Sequence, residues 1–109
     1  MALVHAKPGE VVDLRPLGDK LKQAKTAAIV KNEGFEAIRL VVLKGQQIPS
    51  HQISGHMTLH CMEGRVSLGL EHSTIELNAG EWIYLGGGEP HSLKGIEHSS
   101  LLLTILFDN

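Results

Sequence analysis

The 109-residue sequence contains little cysteine, few aromatic residues and no long apolar run. Cys61 is the single cysteine, so an internal disulfide is excluded and a reducing compartment is favoured. No apolar stretch approaches the ~20 residues that a membrane-spanning helix needs, and the first residues lack the basic-then-apolar order of a signal peptide. We therefore expect a soluble, cytoplasmic protein.

Strong charge of either sign is also absent. Ten basic residues stand against twelve acidic ones, which gives a net charge of -2 with neutral histidines. Nucleic-acid-binding domains usually carry a basic patch, and the loose group of lysines between Lys20 and Lys31 has no interleaved aromatic residues for base stacking. The expected partner is therefore a small-molecule ligand, with no nucleic acid and no membrane.

Chain length and turn signals predict one all-β domain over residues 1–109. Runs of β-branched and apolar residues recur about every 8 to 12 residues with Gly, Pro or Asn between them, which is typical of an antiparallel sandwich or barrel. Residues 1–10 are expected to form a lead-in or an edge strand, and residues 45–91 form the core that carries the motifs.

Three local predictions concern the parts of the chain where the strand pattern is weak. Val11–Leu14 is the first plausible strand, and a short helical turn is expected over residues 17–24 with Asp19 as its N-cap. The segment from Gly45 to Ser50 is interpreted as a connection between strands.

Two predicted strands are apolar on both faces. Phe35–Lys44 has apolar residues at most positions of either parity, and Leu101–Phe107 is apolar apart from one threonine. Such strands need cover on both sides, from a second sheet or a second subunit, and they would be aggregation hazards at an exposed edge. We therefore expect a homodimer.

Histidines in the middle of the chain are the candidates for chemistry. Two glycine-bearing segments, Gly45–His51 and Gly80–His91, each end on a histidine, and two more histidines lie between them. Neutral imidazole is a common metal ligand, and a site with three histidines leaves a position for water or substrate. We predict a divalent metal ion, which could be Zn, Fe, Ni, Cu or Mn. Its candidate ligands are His51, His56, His60 and His91.

The spacing of these segments resembles the two motifs of the cupins, which are small double-stranded β-helix (jelly-roll) proteins. The first cupin motif runs Gly, five residues, His, one residue, His, three or four residues, Glu, six residues, Gly. The second runs Gly, five residues, Pro, one residue, Gly, two residues, His. The positions that match are Gly45, His51, Gly64, Gly80, Gly88 and His91. The resemblance implies an RmlC-like jelly-roll barrel.

Three positions depart from the cupin pattern. Ile53 stands where the second histidine of the first motif is expected, Met57 stands at the position of the glutamate, and Gly86 replaces the proline of the second motif. Two of the four metal ligands that the resemblance implies are therefore missing from their places.

His56 and His60 share one strand parity and are the residues that could replace the missing ligands. If that parity faces the interior, a bulge in the preceding turn would bring the ring of His56 to the vacant ligand position. If the other parity faces the interior, then Met57, Leu59 and Cys61 line the cavity and both histidines turn away.

Two further features have simpler interpretations. Trp82 and Tyr84 share one parity and are expected to pack on a face of a sheet. The three glycines Gly86–Gly88 would allow a ligand or metal to approach the backbone closely, although no helix follows them as in a phosphate-binding loop.

Two functions of different classes follow from these observations. The first is a metal-dependent enzyme with dioxygenase-, isomerase- or decarboxylase-like chemistry, in which His51, His91 and His56 hold the ion. The second is a non-catalytic small-molecule-binding or sensor protein without metal. The sequence leaves both open.

Overall fold

The computed structural model describes residues 5–51 and 53–107, with the backbone only for His51. Within these residues the chain forms one 3₁₀ helix, Gly18–Gln23, followed by nine β-strands. The strands are β1 (Ala27–Lys31), β2 (Phe35–Val42), β3 (Gln47–His51), β4 (His56–Glu63), β5 (Arg65–Gly69), β6 (Thr74–Asn78), β7 (Trp82–Leu85), β8 (His91–Gly95) and β9 (Ser99–Leu106). No helix in this described part is long and apolar enough to cross a bilayer.

The strands form two antiparallel sheets whose inner faces make the core. One sheet has the order β1-β2-β9-β4-β7, and the other has the order β3-β8-β5-β6. The most deeply buried side chains come from both sheets, among them Leu59 and Leu101 from the first and Val66 and Leu68 from the second. The prediction of an all-β jelly-roll is therefore confirmed.

Strand β3 is absent from the sequence-based assignment, which took Gly45–Ser50 as a connection. Among the strands of residues 5–51 and 53–107 it pairs only with β8, and it is the outer strand of its sheet. Proline lacks the N–H that a central strand needs but is tolerated at a sheet edge, which explains how Pro49 fits into this strand.

The predicted strand at Val11–Leu14 is wrong. Residues 5–17 form no strand, and Val11 is 97% exposed. The lead-in is nevertheless attached to the sheet, because the N–H of Ala6 donates a hydrogen bond to the carbonyl of Ile29 at 2.8 Å.

The helical turn lies where the sequence predicts it, but Asp19 does not cap it. No side chain caps the helix from its own N-terminus. Instead, the carboxylate of Glu63 accepts hydrogen bonds from the N–H groups of Leu17 (2.9 Å) and Gly18 (3.1 Å) and from the hydroxyl of Ser100 (2.5 Å). A residue 45 positions away in the sequence thus attaches this segment to the end of the five-stranded sheet.

This hydrogen-bonded carboxylate predicts a pH dependence of stability. Partial burial raises the pKa of Glu63, but the bonds from Leu17, Ser100 and Gly18 outweigh that effect, and the pKa is lowered from its usual value of 4.5. A carboxyl group whose pKa is lower in the folded state than in the unfolded state stabilises the protein at pH values above the unfolded-state pKa. This stabilisation is lost as the pH falls through the folded-state pKa. When the pH falls below about 4.5, we therefore expect the Glu63→Gln variant to lose less stability than the wild type loses.

Urea denaturation between neutral and acidic pH measures this effect. Glu33→Gln is a matched control, because Glu33 lies exposed in the turn between β1 and β2. An acid-induced loss of the same size in the Glu63→Gln variant and in the wild type would contradict the prediction.

Candidate functional site

A cavity of about 170 Å³ lies between the two sheets. Its walls are almost entirely apolar, and the side chains come from both sheets. The lining residues are Leu40, Ile48, Met57, Leu59, His91, Ser92, Leu93 and Leu103. Among these lining residues only His91 and Ser92 are polar. Ser92 alternates with the buried His91 and Leu93 along β8, and its hydroxyl lies beside Gly69. Polar recognition by a side chain within these walls therefore depends on His91.

His91 begins strand β8 and is only 3% exposed. Its Nδ1 lies 3.1 Å from the carbonyl oxygen of Glu89. A carbonyl oxygen can only accept, so Nδ1 carries the proton of this hydrogen bond, and in the neutral ring the lone pair is on Nε2. The short segment Glu89–Pro90 therefore orients the imidazole and sets its tautomer.

Backbone pairing places His51 directly opposite His91. The two residues are register partners of the antiparallel pair β3–β8, beyond an irregularity between Ile48 and His51. Residues opposite each other in an antiparallel pair have Cβ atoms about 4.5–5.5 Å apart on one face of the sheet. The side chain of His51 lies outside the described part, so a cavity shared by the two imidazoles stays a prediction.

Strand β4 has the parity that turns its histidines away from the cavity. Met57, Leu59 and Cys61 are buried, whereas His56 is exposed and His60 is half-buried. No bulge turns His56 inward at the start of β4. In the pair β4–β9, His56 is in regular register with Leu106, and the irregularity lies at the other end of β4, between Cys61 and Glu63.

His56 and His60 therefore do not meet His91 in the cavity. The physical reason is the hydrophobic effect, because the inward parity buries a methionine, a leucine and a cysteine that water would otherwise contact. On the outer face, Nδ1 of His56 is hydrogen-bonded to the hydroxyl of Tyr84 at 2.5 Å, and the two rings stack with their centroids 5.7 Å apart.

The side chains at the motif positions do not fit the four-ligand metal site that the resemblance implies. Met57 lines the cavity at the position expected for the glutamate, and Ile53 packs against the core at the position expected for a histidine. Among the side chains that the structure describes, no group of three or more His, Cys, Asp or Glu is placed to hold a metal ion. Two histidine positions, His51 and His91, are what remains of that set.

The glycines of the second motif contact protein backbone. The N–H of Gly88 donates a hydrogen bond to the carbonyl of Ile53 at 2.8 Å. A Cβ atom on Gly87 would lie only 2.4 Å from the carbonyl oxygen of Ser54. The two motif segments are thus bound to each other at one end of the barrel, a role that the glycine run did not reveal in the sequence.

Cys61 is a buried, free thiol. Burial raises its pKa to about 11, and its Sγ donates to the carbonyl of Glu63 at 3.4 Å. Since the thiolate is the nucleophile, this side chain is a core residue rather than a reactive group.

Fold and motif positions together identify the class of the protein: the chain is a small domain with the cupin jelly-roll fold. No protein-family model and no curated protein matches the sequence. Solved structures do match. A cupin superfamily protein (DSY2733) from Desulfitobacterium hafniense superposes with a TM-score of 0.78 and 14% identity over 94% of this chain and 100% of that one.

Two further structures show how widely this fold is used. The conserved protein SPY1581 of unknown function from Streptococcus pyogenes has a TM-score of 0.76 and 19% identity, and the match covers 100% of this chain and 96% of that one. The DMSP lyase DddQ from Ruegeria pomeroyi has a TM-score of 0.67 and 15% identity, over 77% of this chain and 46% of that one. Identities this low support the shared fold alone.

Proposed function

We propose that the protein binds a small, mostly apolar molecule in the cavity between its sheets, with His91 as the main polar contact. The observation that carries this proposal is that Met57 stands in the cavity wall where the cupin motif has a carboxylate, and that most of the other lining residues are leucine and isoleucine. Apolar walls with a few placed polar groups are the usual composition of small-molecule sites.

The volume of the cavity limits the size of the ligand. Drug-sized ligands occupy pockets of about 300–1,000 Å³, whereas an apolar cavity of about 150 Å³ holds one benzene ring. The cavity here, at about 170 Å³, therefore fits a single ring or a short branched chain.

His91 indicates that the ligand carries a polar group. It is the one histidine among the residues that line the cavity, and it is only 3% exposed. Burial from water strengthens a hydrogen bond between this ring and a hydroxyl or N–H group on an otherwise apolar ligand.

Thermal unfolding with phenol and toluene tests this proposal. Ligand at 100 times its Kd stabilises the native state by about 2.7 kcal/mol, so both probes should raise the Tm saturably, and phenol should act at the lower concentration. Leu103→Phe and Leu40→Phe each place a ring in the cavity wall and should abolish the shift. No shift with either probe, or the same shift in both filled variants, would refute the proposal.

A second candidate function is metal binding, and one observation favours it: the backbone pairing of His51 with His91. Metal analysis should be made on protein from cells supplied with Zn, Fe, Ni, Cu and Mn. If this candidate is right, bound metal is lost in His51→Ala and in His91→Ala but retained in His56→Ala and His60→Ala, whose side chains lie on the outer face. Wild-type protein without metal would favour the metal-free binding protein.

The compartment we propose is the cytoplasm. The single cysteine of the sequence is a free thiol in the core, and reducing compartments keep thiols in that state. Fractionation of cells that express the chain checks this, and recovery outside the cytoplasmic fraction would contradict it.

A further inference from the structure

A groove of about 390 Å³ lies where the segment before β1 meets strand β2. Leu40 of β2 lines the cavity between the sheets, so its neighbour Arg39 points to the opposite, outer face of the strand. The groove is therefore separate from the cavity. We call it the cationic groove, and its lining residues are Asp13, Arg15, Pro16, Leu17, Lys20 and Arg39.

Two contacts between distant parts of the sequence hold the segment before β1 against the sheet. Nη2 of Arg39 donates a hydrogen bond to the carbonyl of Arg15 at 2.7 Å. A little further along, the carboxylate of Glu63 accepts hydrogen bonds from the N–H groups of Leu17 and Gly18. The two walls of the cationic groove are thus held in place before a ligand binds, which lowers the entropic cost of binding.

Positive charge exceeds negative charge in this groove, although the whole chain has a net charge of -2. Asp13 binds the guanidinium of Arg15 through both of its carboxylate oxygens, so these two charges compensate each other. Lys20 and Arg39 form no salt bridge with any residue that the structure describes. Even when the nearby carboxylate of Glu63 is counted, the cations remain in excess.

The guanidinium of Arg39 also has hydrogen-bond donors that the described protein leaves unused. An arginine side chain carries five N–H donors, and within residues 5–51 and 53–107 this one makes a single hydrogen bond, to the carbonyl of Arg15. Its Nε is buried without a partner in the same part of the chain. Arginine with free donors is suited to phosphate and carboxylate groups, which match its planar geometry.

We infer that the cationic groove binds a small molecule through a phosphate group. A phosphate monoester carries nearly two negative charges and three acceptor oxygens at neutral pH, so it can contact Lys20 on one wall and Arg39 on the other. A carboxylate has two oxygens, and one guanidinium engages both of them. Pockets of more than about 300 Å³ hold whole small molecules, so the groove has room for a phosphate monoester rather than for the free ion alone.

Isothermal titration calorimetry at constant ionic strength tests this inference with inorganic phosphate and glycerol 3-phosphate. Both should bind to the wild type, and the monoester should bind more tightly. Lys20→Ala should weaken binding of the monoester about tenfold, the usual cost of one charge-assisted hydrogen bond. Arg39→Lys keeps the charge but loses the planar fork, and it should weaken binding as well.

Lys22→Ala is the matched control, because it removes the same charge from the same helix without touching the groove. It should bind the monoester as the wild type does. Leu103→Phe fills the cavity between the sheets and should also leave this binding unchanged.

Several results would overturn the inference. They are no binding of either phosphate probe, wild-type affinity in Lys20→Ala or Arg39→Lys, and an equal loss in the two lysine-to-alanine variants. Loss of binding in Leu103→Phe would place the phosphate in the cavity instead. Inorganic phosphate that binds as tightly as the monoester would make the ligand the free ion, and acetate that binds as tightly would remove the preference for phosphate.

Discussion

Met57→Glu is expected to lower the free energy of unfolding by about 3 to 5 kcal/mol at neutral pH in metal-free buffer. Met57 is 3% exposed and lines the apolar cavity, so the new carboxylate would lose its hydration with no lysine or arginine among the lining residues. Met57→Leu keeps the wall apolar and should cost less than about 1.5 kcal/mol. Urea denaturation of both variants measures the difference.

The loss should depend on pH in a defined direction. Burial raises the pKa of a carboxyl group, and a folded-state pKa above the unfolded-state value destabilises the protein only once the group ionises in the unfolded state. Compared with the wild type at the same pH, the Met57→Glu variant should therefore be weakest at neutral pH and recover in acid. An equal loss at all pH values would indicate a packing defect instead.

The same variant also tests the position of His51. If the rings of His51 and His91 share the cavity, the carboxylate at position 57 completes a three-ligand set of the kind that holds zinc in open sites. Zinc should then restore stability to the Met57→Glu variant but not to Met57→Leu. No effect of zinc on either variant would show that the two histidines do not converge there.

Gly87→Ala should lower the free energy of unfolding by about 1 to 3 kcal/mol, the usual cost of overpacking. Its Cβ would lie 2.4 Å from the carbonyl oxygen of Ser54, so the second motif segment must move away from the first. That movement also weakens the adjacent hydrogen bond from Gly88 to Ile53.

The neighbouring glycine is the control for this prediction. A Cβ atom on Gly86 would meet nothing within 4 Å, and the φ angle of Gly86 is not positive. Gly86→Ala should therefore be neutral, or stabilise by up to about 1 kcal/mol through the unfolded state. Equal unfolding midpoints for the two variants would show that the two segments are not held together in this way.

Much of the fold could be predicted from the sequence because glycine, proline and asparagine separate the strands. The two apolar runs Phe35–Lys44 and Leu101–Phe107 contain most of strands β2 and β9, and the helical turn is in its predicted place. Each failure has a specific cause. Pro49 led to the interpretation of an edge strand as a connection. The N-terminus of the helix is capped by Glu63, which is too distant in sequence to give a local signal.

The site was predictable in part. Motif spacing pointed to His91, which the structure places in the cavity wall. The parity of β4 could not be predicted, because its histidines and its apolar residues alternate and either set could have faced inward until both sheets were known. Trp82 was expected to pack on a sheet face, yet the single chain leaves it 60% exposed.

NMR of ¹³C-methyl methionine during a titration with phenol tests whether the cavity beside Met57 and His91 binds a small apolar ligand. Met62 also lies in strand β4, next to Cys61, but it is not among the residues that line the cavity. Its methyl signal is therefore an internal control. We predict that the Met57 methyl signal shifts saturably while the Met62 signal stays in place. A Met57 signal that does not move, or two signals that move equally, would show that phenol does not bind in this cavity.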